Sequence, residues 1–169
     1  DALDDAGLHA YLERGAAAFA AIPALGVPTV AVVHRAALGG GLELAMHCDA
    51  LVAAPSASGK PYPVGLPEAG LSICPGWGGT NLLPARMDPA DAIRRTASGT
   101  PMNFDEACAA KLFDVVAKSP EDLIPTAKQW LVDHRAKFAR RDGEPTRWIG
   151  RTDVKAKVAA AVDAARDAL

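Results

Sequence analysis

Three consecutive glycines, Gly39, Gly40 and Gly41, lie between a β-branched apolar run, Val30 to Val33, and a segment that reads as helix. Glycine permits a sharp turn and lets a ligand approach the backbone closely. The first N–H groups of a helix have no partner inside it, so a strand–glycine turn–helix unit offers donors to an oxyanion. Glu43 follows just past the glycines and places an ionisable carboxylate beside those donors. An oxyanion trap next to a carboxylate suits chemistry at a carbon activated by a carbonyl.

The flanking pattern extends this unit. Leu8, Tyr11, Leu12, Ala16, Phe19 and Ile22 recur at three and four residues and predict one apolar stripe on an opening helix, ended by Pro23 and Gly26. Val27 to His34 reads as a buried strand, the glycine turn leads into a helix over 40–48, and Asp49 to Ala54 reads as a second short strand. Strand, turn, helix and strand make a βαβ unit and favour a parallel sheet in an α/β fold. Residues 55–79 are rich in Pro and Gly without periodicity, and a loop that long inside a compact domain is usually functional.

Downstream, Thr80 to Met87 predicts a short helix disturbed by Pro84. Asp88-Pro89 has the N-cap and first-turn chemistry of another helix. Asn103-x-x-Glu106 resembles a capping box for a helix over 104–111. Phe113 to Ala117 reads as a short strand, and a helix over 120–138 carries Leu123, Ala127, Trp130, Leu131 and His134 on one face. Arg140 to Arg151 reads as a linker before an Ala-rich amphipathic helix, Val154 to Leu169.

Composition bounds the function classes. At 169 residues, half of them hydrophobic, the chain is one domain or a large piece of one. A net charge of −2 with mixed signs gives no basic field for nucleic acid. The apolar runs are too short for a membrane span. Cys48, Cys74 and Cys108 form no Cys-x-x-Cys pair, and so sparse a set fits a reducing compartment.

A second group of motifs makes the chain recognisable. Gly65-Leu66-Pro67-Glu68-Ala69-Gly70-Leu71 is followed by Pro75-Gly76-Trp77-Gly78-Gly79-Thr80, by Ser98-Gly99-Thr100-Pro101, and by Lys111-Leu112-Phe113-Asp114-Val115-Val116. With the glycine turn, in this order and spacing, they resemble the enoyl-CoA hydratase/isomerase (crotonase) superfamily over roughly residues 6 to 135. The hydratase part of multifunctional β-oxidation proteins is also similar. The resemblance implies a ββα spiral core. Residues 1–138 correspond to the C-terminal two-thirds of such a domain, and residues 139–169 to a linker and terminal helix.

The resemblance also implies roles. Gly40, the middle glycine, gives its N–H to a thioester oxygen. Glu43 and Glu68 are the paired carboxylates of hydratases, Glu43 helping to activate water and Glu68 delivering a proton to the α-carbon. Leu38, Gly39, Gly65, Leu66, Pro75, Gly76 and Trp77 fall in the segments that border the acyl-CoA substrate. The CoA thioester is the substrate, and no cofactor or metal is implied. The family associates as trimers or dimers of trimers, so a homo-oligomer is expected, in a bacterial-type cytoplasm with a mitochondrial or peroxisomal origin left open. The family's other oxyanion donor comes from an earlier βα turn, for which residues 1–169 hold no counterpart. Residues 56–64 are longer than the family's usual approach to the Pro-Glu loop.

Two further readings compete with hydration. One is double-bond isomerisation, which needs mainly one base and is disfavoured by the second glutamate, Glu43. The other is a CoA-binding or assembly module without turnover. His47-Cys48-Asp49 looks like a nucleophile or metal cluster, but adjacent helical residues point apart and no ligand spacing accompanies them, so structural roles are expected. His34 is expected to be packed at the end of its strand, and His9 and His134 to be surface or packing residues. Lys60 is a weak candidate for a CoA phosphate.

Overall fold

The computed structural model describes residues 4–134 and 155–168. Helix α1 spans Asp5–Ala24, and the Asp4 carboxylate caps it by accepting from the Gly7 N–H at 2.7 Å. The apolar stripe is present in sequence, but Leu8, Tyr11 and Leu12 each remain more than a third exposed. Pro23 lies inside the helix rather than ending it. Its fixed φ is helical, and in the last turn it costs one backbone bond without blocking further helix.

The chain then forms β1 (Val30–Val33), β2 (Ala37–Leu38), α2 (Gly40–Met46) and β3 (Ala50–Ala53). β1 and β3 pair in parallel from Val30↔Ala50 to Val33↔Ala53, with α2 in the connection between them, as the βαβ pattern requires. Asp49 ties the starts of the two strands, its carboxylate accepting from the Thr29 N–H at 2.8 Å and the Thr29 hydroxyl at 3.0 Å. β6 (Val115–Val116) adds a third parallel strand through Val52↔Val115, giving the order β1-β3-β6. His34 is exposed, contrary to the expectation of a packed histidine. It lies one residue beyond the paired part of a strand at the sheet edge, where no neighbouring strand covers it.

β3 is buried at every position, and its side chains alternate between two apolar clusters. Leu51 and Ala53 join Leu42, Met46, Val64 and Leu83 in the larger one. Val52 joins Ala117, Leu123 and Ala127 in the smaller one. A parallel strand covered on both faces reads as a continuous hydrophobic run, as Ala50 to Ala53 does.

The 55–79 region is not featureless. It contains β4 (Pro63–Gly65) and a single 3-10 turn, Glu68–Leu71. β4 pairs in parallel with β2 and antiparallel with β5 (Met102–Asn103), forming a second small sheet. Beyond it lie α3 (Gly79–Leu82), α4 (Pro89–Ser98), α5 (Phe104–Ala109), α6 (Leu123–His134) and α7 (Lys155–Asp167). Asp88 caps α4 by accepting from the Asp91 N–H at 2.9 Å. The capping box of α5 is complete, with the Asn103 side chain taking the Glu106 N–H and the Glu106 carboxylate taking the Asn103 N–H. α6 begins after a 3-10 turn at Pro120–Asp122, and α7 packs along α4. The expected linker at 140–151 and the expected continuation of α6 to 138 lie outside the described residues. Among the described residues, no helix is long and apolar enough to cross a membrane.

Two polar side chains fasten this frame across long sequence distances. The Tyr62 hydroxyl reaches the carbonyls of Val33 at 3.2 Å and Ala54 at 2.8 Å, bridging the ends of β1 and β3. Burial, with a smaller contribution from Cys108, pushes its phenol far above the ordinary tyrosine value. The buried Arg86 guanidinium donates to the carbonyls of Met46, at 2.9 Å, and of Cys48 at the end of α2, where a cation suits the helix dipole. It also faces the Asp114 carboxylate at 3.4 Å.

Tyr62→Phe removes a hydroxyl from a buried acceptor pair and keeps the ring. Unfolding by urea is expected to show a loss of about 1–3 kcal/mol, the range for a buried acceptor left unsatisfied. An unchanged midpoint would mean that the hydroxyl does not fasten the strands.

Candidate active site

A two-residue ladder brings the two motif loops together. β2 pairs with β4 as Ala37↔Val64 and Leu38↔Gly65. The Gly39 N–H then donates to the Gly65 carbonyl at 3.0 Å. The strands are parallel, so the chains leaving them emerge at the same end. One continues as the glycine turn and the other as Leu66-Pro67-Glu68.

Gly39 is at φ +52°, a conformation that favours glycine. Space makes the same demand, because a Cβ at position 39 would lie 2.6 Å from Glu68 Oε1. The missing side chain is what lets the carboxylate touch the turn. Glu68 opens the 3-10 turn and is 8% exposed, and its Oε2 is buried with no hydrogen-bond partner among the described residues. Burial raises its pKa above the ordinary 4.5. Its own backbone hydrogen bond opposes this, and the nearby Glu43 charge adds to the rise.

Glu43 is held differently. It is 1% exposed on α2, and its Oε1 accepts from the N–H groups of Trp77 and Gly79, each at 2.8 Å. Leu66 packs against the same loop, close to Gly79. The Pro75–Gly79 segment is thereby drawn over α2. Its Trp77 indole lies against Gly40, where a Cβ would stand 3.0 Å from the ring, and against Gly15 of α1. Phe19 meets the indole edge-on at 5.1 Å, and Tyr11 does so at 6.3 Å.

The structure thus gathers Gly39, Gly40, Glu43, Gly65, Leu66, Glu68 and Trp77 around one turn. Pro75 is half-buried and Gly76 is exposed beside Leu12, while Leu38 is exposed at the end of β2. Lys60 is exposed. A separate apolar cleft of about 450 Å³ runs between β1 and the other side of α2, lined by Val32, Leu44, Ala45 and Cys48 among others. Neither glutamate lines it. Among the described residues, no group of three His, Cys, Asp or Glu side chains is placed to hold a metal ion.

Sequence reasoning expected a structural role for His47 without its partner, and it missed the part played by α1. His47 is buried, and its Nε2 lies 2.8 Å from the Trp77 carbonyl. α1 supplies the surface against which the indole rests. One turn of helix separates Glu43 from His47, and that i, i+4 spacing was the available signal.

The protein-family profile described as enoyl-CoA hydratase/isomerase matches residues 5–138. A probable enoyl-CoA hydratase of Bacillus subtilis is 40% identical over 129 residues, covering 76% of this chain and 46% of that protein. The peroxisomal fatty acid β-oxidation multifunctional protein MFP2 of Arabidopsis thaliana is 40% identical over 106 residues, covering 63% of this chain and 14% of its own. Among solved structures, an enoyl-CoA hydratase from Bacillus anthracis superposes with a TM-score of 0.65 at 25% identity, over 79% of this chain and 50% of that one. The chain spans about half the length of such single-function relatives. Relatives from bacteria and from peroxisomes both occur, so the compartment stays open.

The raised pKa of Glu68 has a stability consequence of fixed sign. A carboxyl whose folded value lies above its unfolded one favours folding below the unfolded value, and that advantage is lost as pH rises through the folded value. Glu68→Gln removes the titration. Its thermal midpoint is therefore expected to gain on the parent as pH rises from about 4.5 towards neutrality. A difference that is flat across this window would contradict the burial of an ionisable carboxyl at 68.

Proposed function

The chain belongs to the enoyl-CoA hydratase/isomerase family, and from that footing we propose that it carries the paired carboxylates of a site hydrating trans-2-enoyl-CoA to 3-hydroxyacyl-CoA. The observation that carries the reading is the contrast between the two glutamates. Both are buried at one glycine turn and within reach of each other's field, yet one is tethered by two amides and the other is pushed towards its protonated form. Pairs of titratable groups whose settings differ in this way mark acid–base assignments.

The chemistry follows from those settings. Water adds across the double bond, its hydroxyl going to C3 and a proton to C2. Glu43 Oε1 is fixed by the Trp77 and Gly79 amides, which leaves Oε2 to receive the proton of the attacking water. Glu68, with a raised pKa, supplies the proton to C2. Charge accumulates on the thioester oxygen as C3 is attacked. Gly40 opens α2, where a first-turn N–H has no intrahelical acceptor, and in this reading it donates to that oxygen. One such preorganised donor is typically worth about 10²–10³ in rate. The addition is redox-neutral and requires no cofactor beyond the CoA ester itself. Trp77, lying across Gly40, would border the acyl group.

The presence of both carboxylates favours hydration over isomerisation. Incubation with crotonyl-CoA is expected to remove the enoyl-thioester absorbance, and Glu68→Gln is expected to cut kcat by about 10²–10⁴, the usual contribution of a general acid. Calorimetry with the same thioester separates the remaining readings. Binding without turnover would replace hydration with a CoA-binding module, and an unaltered rate in Glu68→Gln would remove Glu68 from the mechanism.

A further inference from the structure

The loop that tethers Glu43 is held from two sides. Its amides at Trp77 and Gly79 donate to Glu43 Oε1 at 2.8 Å. The carbonyl of the same Trp77 residue lies 2.8 Å from His47 Nε2. A carbonyl oxygen only accepts, so Nε2 is the protonated nitrogen and the ring is the donor. Glu43 on α2 and His47 at its C-cap stand four residues apart and present an acceptor and a donor to one residue of the loop.

The surroundings fix this ring closely. His47 is 9% exposed. Phe19 of α1 packs on it at 5.8 Å and on the Trp77 indole at 5.1 Å. Gly78 sits at φ +106° beside the imidazole, and a Cβ there would lie 3.3 Å from Nε2. The loop turns around the ring at a position that favours glycine. The other ring nitrogen, Nδ1, is buried with no partner among the described residues. An apolar side chain would fill the same space but leave the Trp77 carbonyl without this donor, so the imidazole is explained by the carbonyl it reaches rather than by the volume it fills.

We propose that His47 is a positioning residue: by gripping the Trp77 carbonyl it keeps the Trp77 and Gly79 amides in register with Glu43, and so fixes the carboxylate that meets water. The functional consequence rests on the hydratase reading, whereas the grip itself does not. His47 touches no reacting atom. Its effect passes through one peptide unit to Glu43 and appears in the chemical step rather than in thioester binding.

Three substitutions separate this role from packing. His47→Gln can keep an amide donor near the Nε2 position. His47→Leu removes the donor and fills the space. His47→Asn carries a donor too short to reach, and it serves if the leucine variant folds poorly. Amide hydrogen exchange in the substrate-free protein reads the grip directly. Exchange at Trp77 and Gly79 is expected to quicken about tenfold or more in the leucine and asparagine variants, and to stay near the parent rate in the glutamine variant. With crotonyl-CoA, kcat is expected to fall about ten- to a hundredfold in the first two while KM changes little, with kcat largely restored by glutamine. Unchanged protection of both amides in leucine and asparagine variants overturns the proposal, as does a glutamine variant as impaired as they are. A parent protein that leaves crotonyl-CoA untouched defeats the hydratase reading instead, and the exchange result still decides the grip.

Discussion

Everything at the site depends on the short parallel pairing of β2 with β4. Ala37 and Leu38 face Val64 and Gly65, and the Gly39 N–H extends the ladder by one bond to the Gly65 carbonyl. A shift of one residue would turn every side chain of these strands to the opposite face. It would also carry Glu68 away from Gly39. The burial of Val64 and Leu66 in the larger core pins the register from one side. The antiparallel partner, β5, pins it from the other through Val64↔Met102. The placement of the two carboxylates is thus set by apolar packing at Val64, Leu66 and Met102.

The elements legible in the sequence were those with local causes. Asp88-Pro89 and Asn103 with Glu106 announce their helices because the cap is made within three residues. The βαβ unit is legible because β3 is covered on both faces and must be apolar throughout. β2 and β4 escaped notice because two- and three-residue strands have no period to detect, and their pairing spans the sequence between positions 38 and 65. Tyr62 and Arg86 escaped for the same reason. Each satisfies carbonyls that only the fold brings near, and nothing in their neighbouring residues signals the partner.

The candidate site divides along the same line. Glu43, Glu68 and the glycine turn were legible through motifs, but the difference between the two carboxylates was not. Glu43 is held by donors from a loop more than thirty positions away, and Glu68 is shaped by burial against a turn that lacks a side chain. Neither setting is a property of the residue or its neighbours. Likewise, an apolar stripe marked α1 as a helix without showing that Gly15 would receive the Trp77 indole, where any Cβ would collide with the ring.

The arrangement at the glycine turn leaves several buried polar atoms unsatisfied among the described residues. His47 Nδ1, Glu68 Oε2 and Trp77 Nε1 are all buried without a hydrogen-bond partner among the described residues, and all belong to residues around the same turn. Each such group costs about 1–3 kcal/mol relative to a satisfied one. Several of them at one glycine turn are hard to reconcile with a core selected for packing alone, since apolar residues would fill that space more cheaply. They are reconciled by a turn that holds a buried carboxyl beside a glycine, an indole against Gly40 and an imidazole on the Trp77 carbonyl. Removing any one in favour of an apolar residue would relieve a local penalty and loosen the geometry that the pairing of β2 with β4 establishes.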